Sequence, residues 1–181
     1  MQNVQLVHSQ HHATSVRLPL CLLAPDIDDA LNVGTLFRIA DALGVEHLYL
    51  AGSSPVPPDP RIRKTARSTE RHVPFSYAGD PLETIARLRG AGYRIVCLEL
   101  SSASIDVRRF ELAPGERACL VLGSENAGVS QELLDAADAT VHIPMLGRNS
   151  SMNVGIACAI TVFEILRKVM PCQSSPSPSA P

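Results

Sequence analysis

Short apolar runs alternate with stretches of helical periodicity along most of this chain. Residues 18–24 (LPLCLLA) are typical of a buried strand, and residues 33–44 (VGTLFRIADALG) carry apolar side chains at helical spacing. Strands that alternate with helices form a mostly parallel sheet with helices on both faces. The sequence therefore predicts an α/β fold with one domain over residues 18–170.

The same pattern predicts the bounds of the elements. Strands are predicted at 18–24, 45–52, 72–78, 93–100, 117–123 and 139–145. Helices are predicted at 33–44, 61–71, 80–92, 130–137 and 153–169. Asp80 is a candidate N-cap, with Pro81 at the first helical position. We expect a disordered lead-in at 1–17, which is polar, and a disordered tail at 171–181, which is rich in Ser and Pro.

The composition disfavours several classes of function. The formal net charge of −2 gives the chain no general attraction for nucleic acid, so an RNA partner would need a local basic patch. No apolar run is long enough to span a bilayer, and we expect no membrane association. The five cysteines are isolated, which favours free thiols, no metal site and a reducing cytoplasm. His8, His11 and His12 could suggest a metal, but we favour a polar lead-in.

Three polar loops follow predicted strands, at residues 25–35, 123–130 and 144–153. In open α/β sheets, ligands bind beyond the carboxyl ends of the strands, so we expect these loops to form one site. The second loop contains neither G-x-G-x-x-G nor a P-loop sequence. Its glycines therefore do not indicate a dinucleotide or a nucleoside triphosphate.

Three residues of these loops have both a structural and a functional interpretation. Asn32 precedes the predicted helix, so it is either an N-cap or a site residue. Arg38 lies in an apolar helical run, so it is either a surface residue with a buried stem or a site residue. Glu125 lies in the tightest turn, where it either acts in the site or caps the helix that starts near Ser130.

Together the three loops resemble the motifs of the SpoU/TrmH branch of the SPOUT superfamily. The first motif of that branch, Asn-x-Gly and then an Arg, is similar to Asn32, Gly34 and Arg38. The second, a Gly-x-Glu-x-x-Gly loop, is similar to Gly123, Glu125 and Gly128. The third, Ile-Pro-Met and then Ser-Leu-Asn-Val, is similar to Ile143, Pro144, Met145, Ser151, Met152, Asn153 and Val154. The resemblance covers about residues 18–169.

The chain departs from the family pattern at three positions. Met152 stands where Leu is usual, and Gly155 stands where a Ser usually follows the third motif. The stretch 57–66 (PPDPRIRKTA) also resembles the family, but Ser68 follows it where Gly is usual. These departures affect loop details more than the core of the three motifs.

The resemblance implies a function, a cofactor and an assembly. Members of this branch are RNA 2′-O-ribose methyltransferases that use S-adenosylmethionine. It also implies a SPOUT-type α/β knot, with a trefoil knot in the C-terminal part of the chain, and a homodimer with the site at the subunit interface. It implies cofactor contacts from Leu122, Gly123, Ser124, Gly128, Ile143, Met145, Met152 and Asn153. It implies catalytic roles for Asn32, Arg38, Glu125, Ser151 and Asn153.

We expect Arg38 to position the target phosphate by a bidentate contact and to polarise the ribose hydroxyl, because a guanidinium hardly ever gives up a proton. Glu125 is expected to orient Arg38 or the incoming ribose. Ser151 and Asn153 are expected to hydrogen-bond the nucleotide or to fix the loop.

Five basic residues lie within 61–71, opposed only by Glu70. The alternative is a solvated helix face, but in a chain of net charge −2 we interpret the cluster as an RNA-binding surface. The residues concerned are Arg61, Arg63, Lys64, Arg67 and Arg71. We expect tRNA rather than rRNA as substrate, because only about 17 residues precede the first strand and the domain itself must recognise the RNA.

Two other classes of function stay open at this point. One is a non-catalytic RNA-binding protein of the same fold, which the presence of all the motif residues disfavours. The other is a nucleotide-binding α/β enzyme of different chemistry, such as an oxidoreductase. The absence of a glycine-rich loop after the first strand disfavours this second class.

Overall fold

Seven parallel strands form one sheet in the order β3-β2-β1-β6-β4-β7-β5. The structure is a computed structural model that describes residues 4–5 and 17–170. The predicted tail and nearly all of the predicted lead-in, with its three histidines, lie outside the described residues. The strands are β1 Leu20–Pro25, β2 His47–Ala51, β3 Phe75–Ala78, β4 Tyr93–Leu98, β5 Ile105–Asp106, β6 Arg117–Val121 and β7 Ala139–His142.

Five α-helices cover the two faces of this sheet, which confirms the α/β prediction. They are α1 Ala30–Ala42, α2 Pro60–Ala66, α3 Pro81–Gly90, α4 Gln131–Asp135 and α5 Val154–Val169. Short 3₁₀ turns are present at Thr69–Arg71 and Val107–Arg109. Asp80 caps α3 by accepting from the backbone N–H of Leu82 at 2.7 Å, as predicted. The trefoil knot stays a prediction.

The structure departs from the predicted elements in several places. Strand β5 lies in a Ser-rich connection that we expected to be irregular, and its two residues pair at the edge of the sheet with β7. The predicted helix 61–71 is interrupted after Ala66, because Arg67 and Ser68 adopt left-handed backbone conformations with φ of 55° and 75°. Continuous helix requires negative φ, so the chain turns here before the 3₁₀ turn begins.

Helix α1 begins at Ala30, three residues before the predicted start. Asp29 is its N-cap and accepts from the backbone N–H of Leu31 at 2.9 Å. The interpretation of Asn32 as an N-cap is therefore wrong, because Asn32 lies inside the first turn. Helix α4 is capped by the side chain of Ser130, so the interpretation of Glu125 as its cap is also wrong.

The core lies on both faces of the central strands. All six residues of β1 are buried. Leu22 contributes to one face, together with Phe37 of α1 and Val162 of α5. Leu23 contributes to the other face, together with Leu88 of α3. Burial on both faces explains why this strand reads as a continuous apolar run rather than as an alternating pattern.

Four cysteines are buried free thiols, namely Cys21, Cys97, Cys119 and Cys158. Burial raises the pKa of both Cys97 and Cys158 to about 12, so these thiols stay protonated and behave as small hydrophobic side chains. Cys172 lies outside the described residues. Residues 4–5 and 17–170 contain no cluster of metal ligands, and no helix in those ranges is long and apolar enough to cross a membrane.

Gly34 allows α1 and α2 to pack closely. A Cβ atom at this position would overlap the hydroxyl oxygen of Thr65 and the carbonyl oxygen of Ile62, both in α2. Thr65 also donates a hydrogen bond to the carbonyl of Leu31 in α1 at 2.9 Å. The glycine of the first motif therefore fixes α2, and the basic residues on it, against the helix that carries Asn32 and Arg38.

Candidate functional site

A cleft of about 810 Å³ lies at the carboxyl ends of β4, β6 and β7. All eight residues predicted to contact the cofactor line it: Leu122, Gly123, Ser124, Gly128, Ile143, Met145, Met152 and Asn153. Glu125 and Ser151 line it as well. The structure thus brings together the second and third loops, while the first loop contacts the cleft through hydrogen bonds described below.

The glycine loop, residues 122–129, forms the floor of this cleft. The backbones of Ser124 and Gly128 exchange two hydrogen bonds of 3.0 Å each, which closes a tight turn around Glu125. Gly128 has a φ of +67°, and a Cβ at Gly123 would lie 2.7 Å from the carbonyl carbon of Gly128. Both positions therefore require glycine.

Glu125 is held by donors from the start of α1. Its carboxylate accepts from the backbone N–H of Asp28 at 2.9 Å, from that of Asp29 at 3.3 Å and from Asn32 Nδ2 at 2.6 Å. Burial disfavours the charge, but these hydrogen bonds outweigh burial and hold the pKa of Glu125 below its usual value. Through these hydrogen bonds the carboxylate connects the turn after β6 to the loop after β1, which explains why a charged side chain occupies this tight turn.

Asn153 completes the connection between the three loops. Its Oδ1 caps α5 by accepting from the backbone N–H of Gly155 at 2.9 Å and of Ile156 at 3.3 Å. Its Nδ2 donates to Asn32 Oδ1 at 3.0 Å. Asn32 therefore bridges Glu125 and Asn153, and we call these three residues the loop clamp.

Ser151 lies on the exposed part of the third loop. Its backbone N–H and its hydroxyl both donate to Asn149 Oδ1, at 3.1 Å and 3.0 Å. Its side chain is therefore at the cleft but makes no hydrogen bond to the loop clamp among the described residues. Its predicted role toward the nucleotide stays a prediction.

Arg38 lies outside the cleft. It is exposed and lines a second cavity of about 930 Å³, bordered by α1, α5 and the segment 143–146. Ile143 lines both cavities, so this segment separates Arg38 from the cleft. Within residues 17–170 Arg38 makes no hydrogen bond or ion pair, so a single chain contains no contact between Glu125 and Arg38, and the expected role of Glu125 toward Arg38 or the incoming ribose stays a prediction.

One wall of the cleft, at the end of β4, was not predicted from the sequence. It consists of Leu98, Glu99, Leu100 and Ser101. The carboxylate of Glu99 accepts from the backbone N–H of Val129 at 2.9 Å and from that of Leu100 at 2.8 Å. An acidic residue directly after a buried apolar run was the available signal, but only the strand order places β4 beside β6.

The basic cluster is on the surface, as predicted. Arg61, Arg63, Lys64, Arg67 and Arg71 are all exposed. The side chain of Glu70 is only 10% exposed, but its carboxylate lies 3.9 Å from Arg71 Nε and so partly compensates Arg71. Arg61 is partly compensated by Asp59 at 3.3 Å. We call these five basic residues the basic surface, and it adjoins α1 through the contact at Gly34.

Comparison with known proteins finds relatives over most of the chain. The model of the SpoU rRNA Methylase family matches residues 19–163. A Staphylococcus saprophyticus protein classed with the TrmH family tRNA/rRNA methyltransferases is 30% identical over 152 residues, which are 84% of this chain and 60% of that protein. The chain thus spans about 60% of the length of the relatives that it matches.

Two solved structures illustrate the similarity in fold. The AdoMet-bound rRNA methyltransferase from Sinorhizobium meliloti is 28% identical, with a TM-score of 0.78 over 87% of this chain and 59% of that chain. The A. aeolicus TrmH/SpoU tRNA modifying enzyme is 26% identical, with a TM-score of 0.74 over 84% of this chain and 76% of that chain. These neighbours confirm the predicted class of fold.

Proposed function

Because the chain belongs to the SpoU rRNA methylase family, we propose that it is an RNA methyltransferase that uses S-adenosylmethionine and modifies a ribose 2′-hydroxyl of tRNA. The observation that carries the proposal is the cleft, where the second and third motifs meet around a tight glycine loop. The loop clamp adds the Asn of the first motif to the same site. The AdoMet-bound relative from Sinorhizobium meliloti supports the choice of cofactor.

The charge of the cleft fits this cofactor better than it fits a phosphate-bearing one. Glu99 and Glu125 line the cleft, and none of the described residues around it is Lys or Arg. A dinucleotide or a triphosphate would bring further negative charge against these carboxylates. S-adenosylmethionine carries no phosphate and supplies a methyl group on a positively charged sulfur. This comparison disfavours the alternative of a nucleotide-binding oxidoreductase.

The backbone of the cleft would hold the adenosine part of the cofactor. Gly123 and Gly128 shape the tight loop on one side of the cleft, where the N–H and C=O groups of Gly128 are already paired with Ser124, and Ile143 and Met145 line another part of it. Backbone groups at close range give directional hydrogen bonds without a flexible side chain. The loop clamp keeps the two walls at a fixed separation, so the cofactor need not order them on binding.

A second copy of the chain would bring Arg38 to the site. The cavity beside Arg38 is bordered by exposed apolar side chains, with Leu146 at 99% and Phe163 at 57% exposure. An apolar face of this kind is expected to be covered by a partner. Because segment 143–146 borders both cavities, a homodimer through α5 and this segment would place the Arg38 of one protomer near the cleft of the other.

Mixing two inactive variants tests this arrangement. Arg38→Ala keeps the cleft intact, and Gly123→Ala keeps Arg38 intact but should distort the glycine loop that lines the cleft, because the added Cβ would overlap the backbone of Gly128 and Val129. If Arg38 acts across the dimer interface, equal mixing followed by subunit exchange should restore roughly one quarter of the wild-type rate, since half of the dimers then contain one complete site. A mixture that forms dimers and stays inactive would contradict the arrangement.

Within such a site the residues would have distinct roles. Arg38 would bind the target phosphate through two parallel N–H donors and orient the 2′-hydroxyl toward the methyl group. Ser151 would hydrogen-bond the ribose, because its hydroxyl is exposed at the cleft. The loop clamp would hold the acceptor and the donor in line, and alignment alone lowers a barrier by about 7 kcal/mol in well-oriented systems.

The basic surface would hold the RNA backbone. It lies on α2 and the turn after it, and α2 packs on the helix that carries Arg38. Contacts between this surface and phosphates release counterions, so the affinity should fall as salt increases. A folded RNA arm that spans the surface and the cleft would be read by shape. The tRNA modifying enzyme among the similar structures supports tRNA, whereas the Sinorhizobium meliloti relative acts on rRNA.

Transfer from labelled S-adenosylmethionine tests the proposal directly. Total RNA from cells that lack this protein would be separated into tRNA and rRNA, incubated with the full chain and mapped for 2′-O-methylation. Label at one tRNA position supports the proposal. Label in rRNA alone contradicts the substrate, and label on a base contradicts the acceptor. Binding of cofactor and RNA with no label would favour the non-catalytic RNA-binding protein.

A further inference from the structure

Glu99 has no role in the function described so far, although it lines the cleft. It follows β4 directly, and its two carboxylate oxygens accept from Leu100 N–H at 2.8 Å and Val129 N–H at 2.9 Å. A Cβ atom at Gly128 would overlap Glu99 Oε2. The carboxylate is therefore fixed against the glycine loop and cannot swing away from the cleft.

The negative charge of Glu99 is not neutralised by a basic residue. Neither Glu99 nor Glu125 forms an ion pair with any described residue, and no Lys or Arg is found among the described residues that line the cleft. Glu125 is engaged by three donors of the first loop. Charges in a partly enclosed cleft interact more strongly than charges in bulk water, because the effective dielectric constant is lower.

We propose that Glu99 determines cofactor specificity by charge: it makes the cleft favour the sulfonium of S-adenosylmethionine over the uncharged sulfur of S-adenosylhomocysteine. This inference rests on the proposed function. In the transfer, the S–CH₃ bond breaks, the ribose oxygen bonds to the methyl carbon, and the hydroxyl proton passes to solvent water. The sulfur keeps the electron pair and becomes neutral. The attraction to Glu99 therefore exists for the donor and is lost for the product, which promotes product release.

A substitution at Glu99 tests the effect of charge on cofactor specificity better than a substitution at Glu125. Replacing Glu125 would disturb the loop clamp and change the shape of the site. Glu99→Gln keeps the size of the side chain, but its single amide oxygen can replace only one of the two carboxylate acceptors, and its NH₂ group faces the other backbone N–H. A local shift of the wall should affect all ligands alike, so the ratio of the Kd values of different ligands on the same variant reports the lost charge. Glu132→Gln is a matched control, because Glu132 is exposed on α4 and does not line the cleft.

The experiment measures the Kd of three ligands by calorimetry on the full chain. The ligands are S-adenosylmethionine, S-adenosylhomocysteine and sinefungin, which carries a protonated amine in place of the methylated sulfur. We expect Glu99→Gln to weaken binding of the two cationic ligands about fivefold more than binding of S-adenosylhomocysteine. Sinefungin carries the positive charge without the methylated sulfur, so its Kd distinguishes an effect of charge from an effect of the shape of the methyl group. Glu132→Gln should leave all three Kd values unchanged.

Three results would overturn the inference. Equal weakening of all three ligands would mean that Glu99 only fixes the glycine loop. Unchanged binding of all three would mean that its charge is irrelevant. If the wild-type chain binds none of them, the cofactor itself is wrong and the proposed function falls with the inference. Should Glu99→Gln fail to fold, the wild-type chain still gives a test, since added salt must weaken S-adenosylmethionine more than S-adenosylhomocysteine.

Discussion

Replacing Gly34 with Ala should loosen α2 from α1. The added Cβ would overlap the Thr65 hydroxyl oxygen and the Ile62 carbonyl oxygen. The Thr65 side chain can rotate away at the cost of its hydrogen bond to Leu31 O. The Ile62 carbonyl belongs to the backbone of α2, so relief requires the whole helix to move.

The loss of stability in Gly34→Ala depends on the backbone carbonyl of Ile62, which cannot rotate away as the Thr65 side chain can. Overpacking a tight contact typically costs about 1–3 kcal/mol, and a backbone obstacle places Gly34→Ala at the upper end, near 3 kcal/mol. For a chain of this length, about 1 kcal/mol lowers the Tm by about 2–4 °C, so the Tm should fall by about 6–12 °C. RNA binding should weaken as well, since the basic surface moves with α2.

Thermal unfolding followed by circular dichroism measures the shift. Gly90→Ala in α3 is the control, because a Cβ there meets nothing within 4 Å and should stabilise the helix by about 0.5–1 kcal/mol. Adding Thr65→Ala to Gly34→Ala should recover only part of the lost stability, since the Ile62 carbonyl stays in place. If Gly34→Ala melts at the wild-type temperature, or if the double variant recovers completely, the steric argument is refuted.

Four further predictions concern the site and the basic surface. Arg38→Ala should abolish methyl transfer while the Kd of S-adenosylmethionine, measured by calorimetry, stays unchanged; equal loss of both would indicate a structural role. Arg63→Glu should weaken RNA binding and flatten its salt dependence, whereas the exposed Arg87→Glu on α3 should not. Because the pKa of Glu125 is lowered in the folded chain, its contribution to stability is present above pH about 4.5 and is lost as the pH falls through the lowered pKa. The Tm of the wild type should therefore approach the Tm of Glu125→Gln in acid. Curves of Tm against pH that stay parallel for the two proteins would contradict this. Ser68→Gly should raise the free energy of unfolding by about 1 kcal/mol in urea titrations, because its φ of 75° strains a side chain that makes no capping hydrogen bond.

Local patterns predicted the features that depend on neighbouring residues. The cap at Asp80 and the positions of most strands follow from spacing and from residue type. The three loops could be grouped because the carboxyl ends of parallel strands share one edge of a sheet, whereas the cofactor residues within them came from the family resemblance. Strand β5 was missed because two residues leave no periodicity. The break at Ser68 was missed although the resemblance offered a signal, because Ser68 stands where the family usually has Gly, the residue that adopts a left-handed backbone without strain.

Long-range partners could not be predicted in this way. Asn32 and Glu125 are 93 positions apart, and no local rule would choose Glu125 as the acceptor for Asn32. Glu99 joins the cleft only because β4 lies beside β6, and the strand order is a property of the complete sheet. The separation of Arg38 from the cleft likewise depends on the path of segment 143–146.

The position of β1 between β2 and β6 has a consequence for biosynthesis. β2 and β3 follow β1 within 60 residues, but β6 begins only at Arg117, and the loop clamp also needs Asn153. At about 5–20 residues per second, a ribosome needs about 5–20 s to extend the chain from Pro25 to Arg117. During that interval β1 exposes an unpaired apolar edge, which is a template for aggregation. The yield of this protein should therefore depend on translation rate and on chaperones that cover that edge until β6 emerges.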